Sequence, residues 1–269
     1  MTITATGTST TDASILLRHD VHGITTLTLN RPRQFNALSE ELIAVLQTTL
    51  DTIAQDHTVR VVVLAGNGPA FCAGHDLKQM RAHPSKAYYQ QLFAQCSHMM
   101  MTIARLPQPV IARVHGIATA AGCQLVAQCD LAVASVSAQF AVSGINVGLF
   151  CSTPSVPLGR NVPRKQAMEM LLTGEIIDAP TAMQRGLVNR VVPAEQLDAA
   201  VMELAGKIIR HSSVAVSTGK QMFYLQLEQG LEAAYAYAAE VMACNMMTED
   251  VAEGIAAFMQ KRPPHWKGR

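Results

Sequence analysis

The run Val59-Arg-Val-Val-Val-Leu-Ala65 carries four valines in seven residues, broken only by Arg60. β-Branched side chains pack well on a pleated surface, and a strand apolar at successive positions is buried on both faces, as in a parallel sheet. Parallel strands need a long crossover, and the preceding residues supply one. Ile24–Asn30 alternates and is rich in Thr and Leu, which predicts a strand, and Asn30-Arg-Pro-Arg33 ends it. Ser39 is an N-cap candidate, with Glu40 and Glu41 in the first turn, where the helix dipole favours acids. Leu42, Ile43, Val45, Leu46, Leu50 and Ile53 then form one apolar stripe at helical spacing. Strand, helix, strand implies a right-handed crossover and an α/β fold.

The pattern recurs. Val110–Val114 reads as a strand, Gly122–Gln128 as a short helix and Asp130–Ala134 as another strand. Arg164–Leu172 and Thr181–Arg185 read as helices, and Val188–Val192 as a last strand. From Ala194 the pattern is almost wholly helical until Pro263-Pro264 stops it. The organisation expected is a flexible leader over residues 1–12, an α/β core over 13–200 and a helical region over 201–269. Leu231–Met247 is apolar on several faces, so it is buried on several sides, either in its own core or against a neighbouring subunit.

At 269 residues and 49% hydrophobic, the chain can bury a large core. A formal charge of +1 gives no global field for nucleic acid or an anionic membrane. No apolar run approaches the ~20 residues of a membrane span. The N-terminus has no basic segment followed by an apolar core, so no secretory signal is expected. The six cysteines show no CxxC spacing, which reads as reduced thiols in a cytoplasmic protein. No pair of histidines has metal-ligand spacing, so no metal site is expected.

Residues 114 to 159 contain a single carboxylate, Asp130, and no Lys or Arg. Around this uncharged segment lie four stretches with a common resemblance. They are Asn30-Arg-Pro-Arg-Gln-Phe-Asn-Ala-Leu-Ser39, Gly68-Pro-Ala-Phe-Cys-Ala-Gly-His-Asp-Leu77, His115-Gly-Ile-Ala-Thr-Ala-Ala-Gly-Cys-Gln-Leu125 with Cys129-Asp130, and Leu172-Thr-Gly-Glu175 with Gly186-Leu-Val-Asn-Arg-Val-Val192. In this order they resemble the loops of the crotonase (enoyl-CoA hydratase/isomerase) superfamily, and with Glu253–Phe258 they cover nearly the whole chain. Ala121-Gly-Cys-Gln124 and Asn146–Pro154 resemble in particular the enoyl-CoA hydratase domain-containing protein 3 subgroup.

The resemblance implies a crotonase-type spiral of ββα units with a helical C-terminal region used for trimerisation, as a homo-trimer or a hexamer of two trimers. It implies an acyl-CoA thioester of lipid metabolism as ligand, with coenzyme A as part of the substrate and no covalently bound cofactor. Thioester chemistry at the α or β carbon builds charge on the carbonyl oxygen, and preorganised N–H donors stabilise it by a few kcal/mol each. Small residues at a turn opening a helix suit such donors, and the resemblance assigns the role to the N–H groups of His75 and Ala121. The thioester-binding residues it implies are Arg33, Gln34, Phe35, Ala37, Ala73, His75, Asp76, Leu77, Lys78, Ala121 and Gly122. Lys261 or Arg262 could reach in from a neighbouring tail.

Two catalytic glutamates are usual in the family, one to activate water and one to deliver a proton. Their positions here read Gln124 and Gly144. Three substitutes are open: a bound bicarbonate, as the similarity of Gly144 to dihydroxynaphthoyl-CoA synthases implies; a water or anion held by Ser143 or Asn146; or a reaction that needs only the oxyanion site. A non-catalytic acyl-CoA-binding protein, or a hydratase partner, is the rival reading. The His75 imidazole could serve as a base, although the family uses the position for its N–H. Cys151-Ser-Thr153 could cap a helix, donate to a ligand or attack it, capping being the simplest. Asp130 is expected to hold the helix–strand turn. The acyl wall is expected from residues 82–101, with Tyr88, Tyr89, Phe93, Met99, Met100 and Met101.

Overall fold

The computed structural model describes residues 14–269; the leader expected over 1–12 lies outside them. The described residues open with a hairpin. β1 (Leu16–Val21) pairs antiparallel with β2 (Ile24–Leu29) through His22 and Gly23, both at positive φ, as a two-residue hairpin turn requires. β1 has no apolar alternation to read, because of its residues only Leu16 is fully buried. Helix α1 (Glu40–Ala54) begins where expected: the Ser39 hydroxyl accepts from the Leu42 amide at 3.2 Å. Five of the six stripe residues are buried and Val45 is partly so. β3 (Val61–Gly66) is buried throughout and lies parallel to β2, so the first crossover is the one the sequence implies.

The spiral follows from repetition of this unit with a second short strand added. β3 is followed by β4 (Ala70–Cys72), then by α2 (Leu77–Ala82) and α3 (Lys86–Arg105). Next come β5 (Val110–Val114), β6 (Ile117–Thr119) and α4 (Ala121–Gln128). The third turn is β7 (Leu131–Ser135), β8 (Gln139–Ala141), α5 (Ser152–Asn161) and α6 (Arg164–Thr173). The first strand of each turn joins a six-stranded sheet of order β1-β2-β3-β5-β7-β10, and the second joins a four-stranded sheet of order β4-β6-β8-β9. β9 (Ile177–Asp178) and β10 (Arg190–Val192), joined by α7 (Ala179–Gln184), complete the two sheets. This is the crotonase-type spiral of ββα units. The second strands, two or three residues long, carry too little periodicity to be read from sequence.

Helix α8 (Leu197–Ile209) lays Leu197, Val201 and Ala205 on Val61, Val63, Ile111 and Val133 of the large sheet. Residue 200, the expected boundary, therefore falls inside a helix that packs on the core. The remaining tail is α9 (Ser213–Gln226), α10 (Leu231–Met246) and α11 (Glu249–Met259). Among the described residues α10 buries only Ala234, while Leu231, Tyr235 and Met242 stay exposed. No helix among the described residues is long and apolar enough to cross a membrane, and no group of them could hold a metal ion.

Asp130, the lone carboxylate of its segment, fastens this tail to the spiral. Its carboxylate accepts from the Val110 amide at 2.7 Å, the Lys220 ammonium at 2.7 Å and the Tyr224 hydroxyl at 2.8 Å. Lys220 also donates to the carbonyls of Ile103 at 2.9 Å and Gln108 at 3.0 Å. Burial lowers the Lys220 pKa, and the Asp130 charge opposes that shift. Removing one partner of a buried pair leaves the other charge uncompensated, at a cost of about 3–5 kcal/mol. Lys220→Met is expected to lose that much unfolding free energy in urea, and Tyr224→Phe about 1 kcal/mol. A loss below 1 kcal/mol for Lys220→Met would show that the cluster does not hold the tail.

Candidate functional site

The site is built where two loops touch. The first follows β4 and runs through Ala73, Gly74 and His75. It is clamped by the loop after β2: Leu38 donates to the Gly74 carbonyl at 2.7 Å, Asp76 to the Leu38 carbonyl at 3.1 Å, and Ala73 to the Phe35 carbonyl at 3.0 Å. Behind the clamp, buried Asn36 donates to the carbonyls of Asn67 and Ala70, each at 2.8 Å. Arg31 pairs with Asp76 at 3.0 Å. Asp76 also caps α2, accepting from the amides of Lys78 and Gln79.

The second loop joins β6 to α4. Gly74 has φ +96°, and a Cβ there would stand 2.9 Å from the Ala120 Cβ and 3.2 Å from the Ala121 nitrogen. Only glycine lets the loops approach so closely with that backbone. The Thr119 hydroxyl adds a stitch, donating to the Ala73 carbonyl at 3.2 Å. Ala120 sits at φ 50°, ψ −119°, a region that costs an L-residue about 1–3 kcal/mol. Its amide donates to the Ala141 carbonyl, and its carbonyl accepts from Gln124. The strained turn sets Ala121 as the first residue of α4, with a free N–H. Among the described residues, neither the Ala121 amide nor the His75 amide donates to any protein group.

A cavity of about 300 Å³ opens over these amides. It is lined by Ala73, His75, Leu77, Met80 and Phe93, by Ala120 and Ala121, and by Ser143, Gly144, Val147 and residues 149–154. The described lining residues include no Asp, Glu, Lys or Arg. Of the sequence candidates, Ala73, His75, Leu77, Ala121, Ser143, Gly144 and residues 151–153 meet here, with Phe93 from the expected acyl wall. Gln124 lies one turn along α4 outside the lining, buried, with its side-chain oxygen unpartnered. Gly122 packs on the Cys72 carbonyl. Arg33, Gln34, Phe35, Ala37, Asp76 and Lys78 stand outside the lining; Arg33, Gln34, Phe35 and Lys78 are exposed, while Ala37 and Asp76 belong to the clamp. Arg262 is tied to Glu253 in its own tail.

The expected acyl wall is mostly elsewhere. Met99 and Met100 are in the core, Met101 is exposed, and the Tyr88 and Tyr89 hydroxyls bond Glu40 and the Met80 carbonyl. Phe93 alone of that set reaches the cavity, edge-on to the His75 ring at 5.4 Å. Sequence reasoning did not single out Val147, Leu149 and Phe150 as a wall; their visible signal is a run of apolar residues in a loop too short to bury them.

The imidazole of His75 is desolvated, which drives its pKa down to about 4, and its Nε2 is buried without a partner. At neutral pH it is uncharged and a weak base. The capping expectation for Cys151 is corrected. Cys151 occupies the N-cap position of α5 but makes no cap bond; its Sγ accepts instead from the Gly144 amide at 3.2 Å. Burial raises its pKa, so it is a thiol rather than a nucleophilic thiolate. The turn from 144 to 151 closes tightly on Gly144. A Cβ there would lie 2.5 Å from the Leu149 carbonyl oxygen and 2.8 Å from the Cys151 sulfur.

Residues 20–269 match the family model described as enoyl-CoA hydratase/isomerase. The mitochondrial enoyl-CoA hydratase domain-containing protein 3 of Mus musculus is 48% identical over 244 residues, 91% of this chain and 81% of that protein. The crystal structure of an enoyl-CoA hydratase of Mycobacterium smegmatis is 58% identical with a TM-score of 0.93, covering 94% of this chain and 99% of that one. The crystal structure of human enoyl-CoA hydratase domain-containing protein 3 is 45% identical with a TM-score of 0.91, covering 94% and 100%. The cytoplasmic reading is corrected by these relatives, since those of mouse, rat and human are described as mitochondrial. Unpaired cysteines report a reducing environment and cannot choose among reducing compartments.

Two outcomes follow for the site. Gly144→Glu, the simplest restoration of an acid, must displace the 144–151 turn; it is expected to cost about 1–3 kcal/mol in urea unfolding and to gain no hydration of crotonyl-CoA, even with Gln124→Glu. Efficient hydration by that double variant would contradict the steric account. For His75, the folded pKa of about 4 lies below the ordinary 6.5, so the unfolded chain alone takes up this proton as pH falls between them. The associated stability is complete above pH 6.5 and is lost toward pH 4. The unfolding free energy of the wild type relative to His75→Gln should fall by about 3 kcal/mol from pH 7 to pH 4. A constant difference would show that the ring is not desolvated.

Proposed function

The chain belongs to the enoyl-CoA hydratase/isomerase family, within the enoyl-CoA hydratase domain-containing protein 3 subgroup, and from that premise we propose that its cavity binds an acyl-CoA thioester with the carbonyl oxygen between the N–H groups of His75 and Ala121. The observation that carries this reading is two amides without protein partners among the described residues, on residues that line one cavity and on loops that touch through Gly74. Charge that develops on the thioester oxygen meets two preorganised donors, each worth a few kcal/mol, and the N-terminal dipole of α4. Apolar walls exclude water and strengthen both contributions. Exposed Arg33 and Lys78, beside the clamp and in the first turn of α2, supply cations for the phosphates of coenzyme A.

The same cavity speaks against hydration by paired carboxylates. Glutamine cannot exchange protons at neutral pH, Gly144 has no side chain, and His75 is too weak a base. Each general acid or base contributes roughly 10²–10⁴ in rate, so loss of both leaves enolate stabilisation with slow proton transfer. The lining without carboxylates favours a second reading, a non-catalytic acyl-CoA-binding protein or a partner of a competent hydratase. In either case the exposed apolar face of α10 is covered by further copies of the chain, in a trimer or a pair of trimers.

Infrared difference spectra of bound butyryl-CoA, with and without ¹³C at the thioester carbonyl, test the shared premise. A carbonyl stretch well below its value in water is expected, together with crotonyl-CoA hydration at least ~10⁴-fold slower than a paired-carboxylate hydratase. A bound thioester with an unshifted carbonyl would overturn the assignment of the two amides.

A further inference from the structure

A second cavity, of about 450 Å³, opens at the other end of the large sheet. The first cavity lies on the loops that follow β4 and β6, whereas Arg60 and Gln108 of this one lead into β3 and β5. The first turn of α9 and the tail residues Lys267 and Arg269 complete it, and its described lining has no Asp or Glu. Arg60 is partly buried and makes no ion pair among the described residues; it donates to the His211 carbonyl at 2.7 Å. Burial lowers its pKa, and the charge of Asp250 opposes that shift. Lys267 and Arg269 share one carboxylate, Glu249, at 2.9 and 3.1 Å. Asp250 is itself occupied, accepting from the Ser212 hydroxyl and from the amides of Lys267 and Gly268. The Arg269 carbonyl accepts from the Asp250 amide.

Two further features point to a ligand. Helix α9 is 14 residues long, and the amides of Ser213 and Val214 in its first turn donate to no protein group among the described residues, while the Ser212 hydroxyl takes that of Ala215. Such a turn favours an anion. Gln108 is 7% exposed, and its Nε2 donates to the carbonyls of Ile53 at 2.9 Å and Asp56 at 3.3 Å. Those bonds fix the orientation of the amide and leave Oε1 buried without a donor. Buried polar groups are almost always hydrogen-bonded, so an O–H or N–H from a ligand would complete this one.

We infer that this cavity binds a small phosphomonoester that carries a hydroxyl, the phosphate on Arg60 and the first amides of α9, the hydroxyl on Gln108. Arg60, the α9 amides and Lys267 come from three separate segments, which suits a group with several acceptor oxygens better than a planar carboxylate. A phosphomonoester also brings about −1.5 to −2 charges at neutral pH. The formal charge of +1 gives no wider field for a polyanion, so the occupant is a small molecule. Lys220 donates to the Gln108 carbonyl at 3.0 Å, so the residue is held between this cavity and the Asp130 cluster. The inference stands apart from thioester binding, because the two cavities share no described lining residue.

Calorimetry on the full chain with glycerol 3-phosphate, inorganic phosphate and glycerol decides it. Glycerol 3-phosphate should bind, more weakly as salt is added, and glycerol should not. Inorganic phosphate, without the hydroxyl, should bind ~10-fold more weakly than glycerol 3-phosphate. Arg60→Met removes a charged donor and should weaken glycerol 3-phosphate at least ~10-fold. Ser213→Pro removes one amide at the first helical position, where proline is tolerated, so α9 is kept. Against Ser213→Ala, which keeps the amide, it should lose ~10-fold in affinity, and it decides alone if Arg60→Met does not fold. No binding at millimolar glycerol 3-phosphate, or an affinity unchanged in both Arg60→Met and Ser213→Pro, would overturn the inference. Equal affinity for phosphate and glycerol 3-phosphate would overturn the part assigned to Gln108.

Discussion

The contact between Gly74 and the Ala120-Ala121 turn is the constraint on which the site depends. It brings a loop after the first spiral turn against a loop from the second, at a distance no side chain would permit. The clamp from residues 31–38 fixes one loop, and β8, through the Ala141 carbonyl, fixes the other. Ala120 bears the strain that results. The stable spiral around it holds Ala120 in that conformation, as is common where backbone groups must be aimed at a ligand.

What the contact produces is a cavity whose described lining has no Asp, Glu, Lys or Arg. His75 and Ala121, the first residue of α4, both line it, and burial keeps the His75 ring neutral. The charge excluded from the cavity appears instead at Asp130, where it ties α9 to the spiral. Binding frame and structural anchor thus share a stretch of sequence while keeping their electrostatics apart.

Much of this was legible before any coordinates. The valine run at β3, the Ser39 cap, the stripe of α1 and the recurrence at β5, α4 and β7 give the large sheet and its crossovers. The small sheet was not legible, because strands as short as Ala70–Cys72 leave no period. Small residues at 73–75 and 118–122 marked the two loops, and resemblance paired them. The cavity lining was not foreseen: the Met-rich stretch of α3 is apolar because it is core, whereas the lining residues Val147, Leu149 and Phe150 lie in a turn with no regular pattern. Residues Arg33, Gln34 and Phe35 sit near the site in sequence motif but outside the cavity in space. The packing at Gly144 was hidden too, since it depends on a carbonyl and a sulfur five and seven residues away folding back upon it.

A crystal structure with bound octanoyl-CoA tests the central claim most directly. The account predicts the thioester oxygen within about 2.7–3.1 Å of both the His75 and the Ala121 nitrogens. A thioester seated elsewhere, or an oxygen out of reach of both amides, would contradict it.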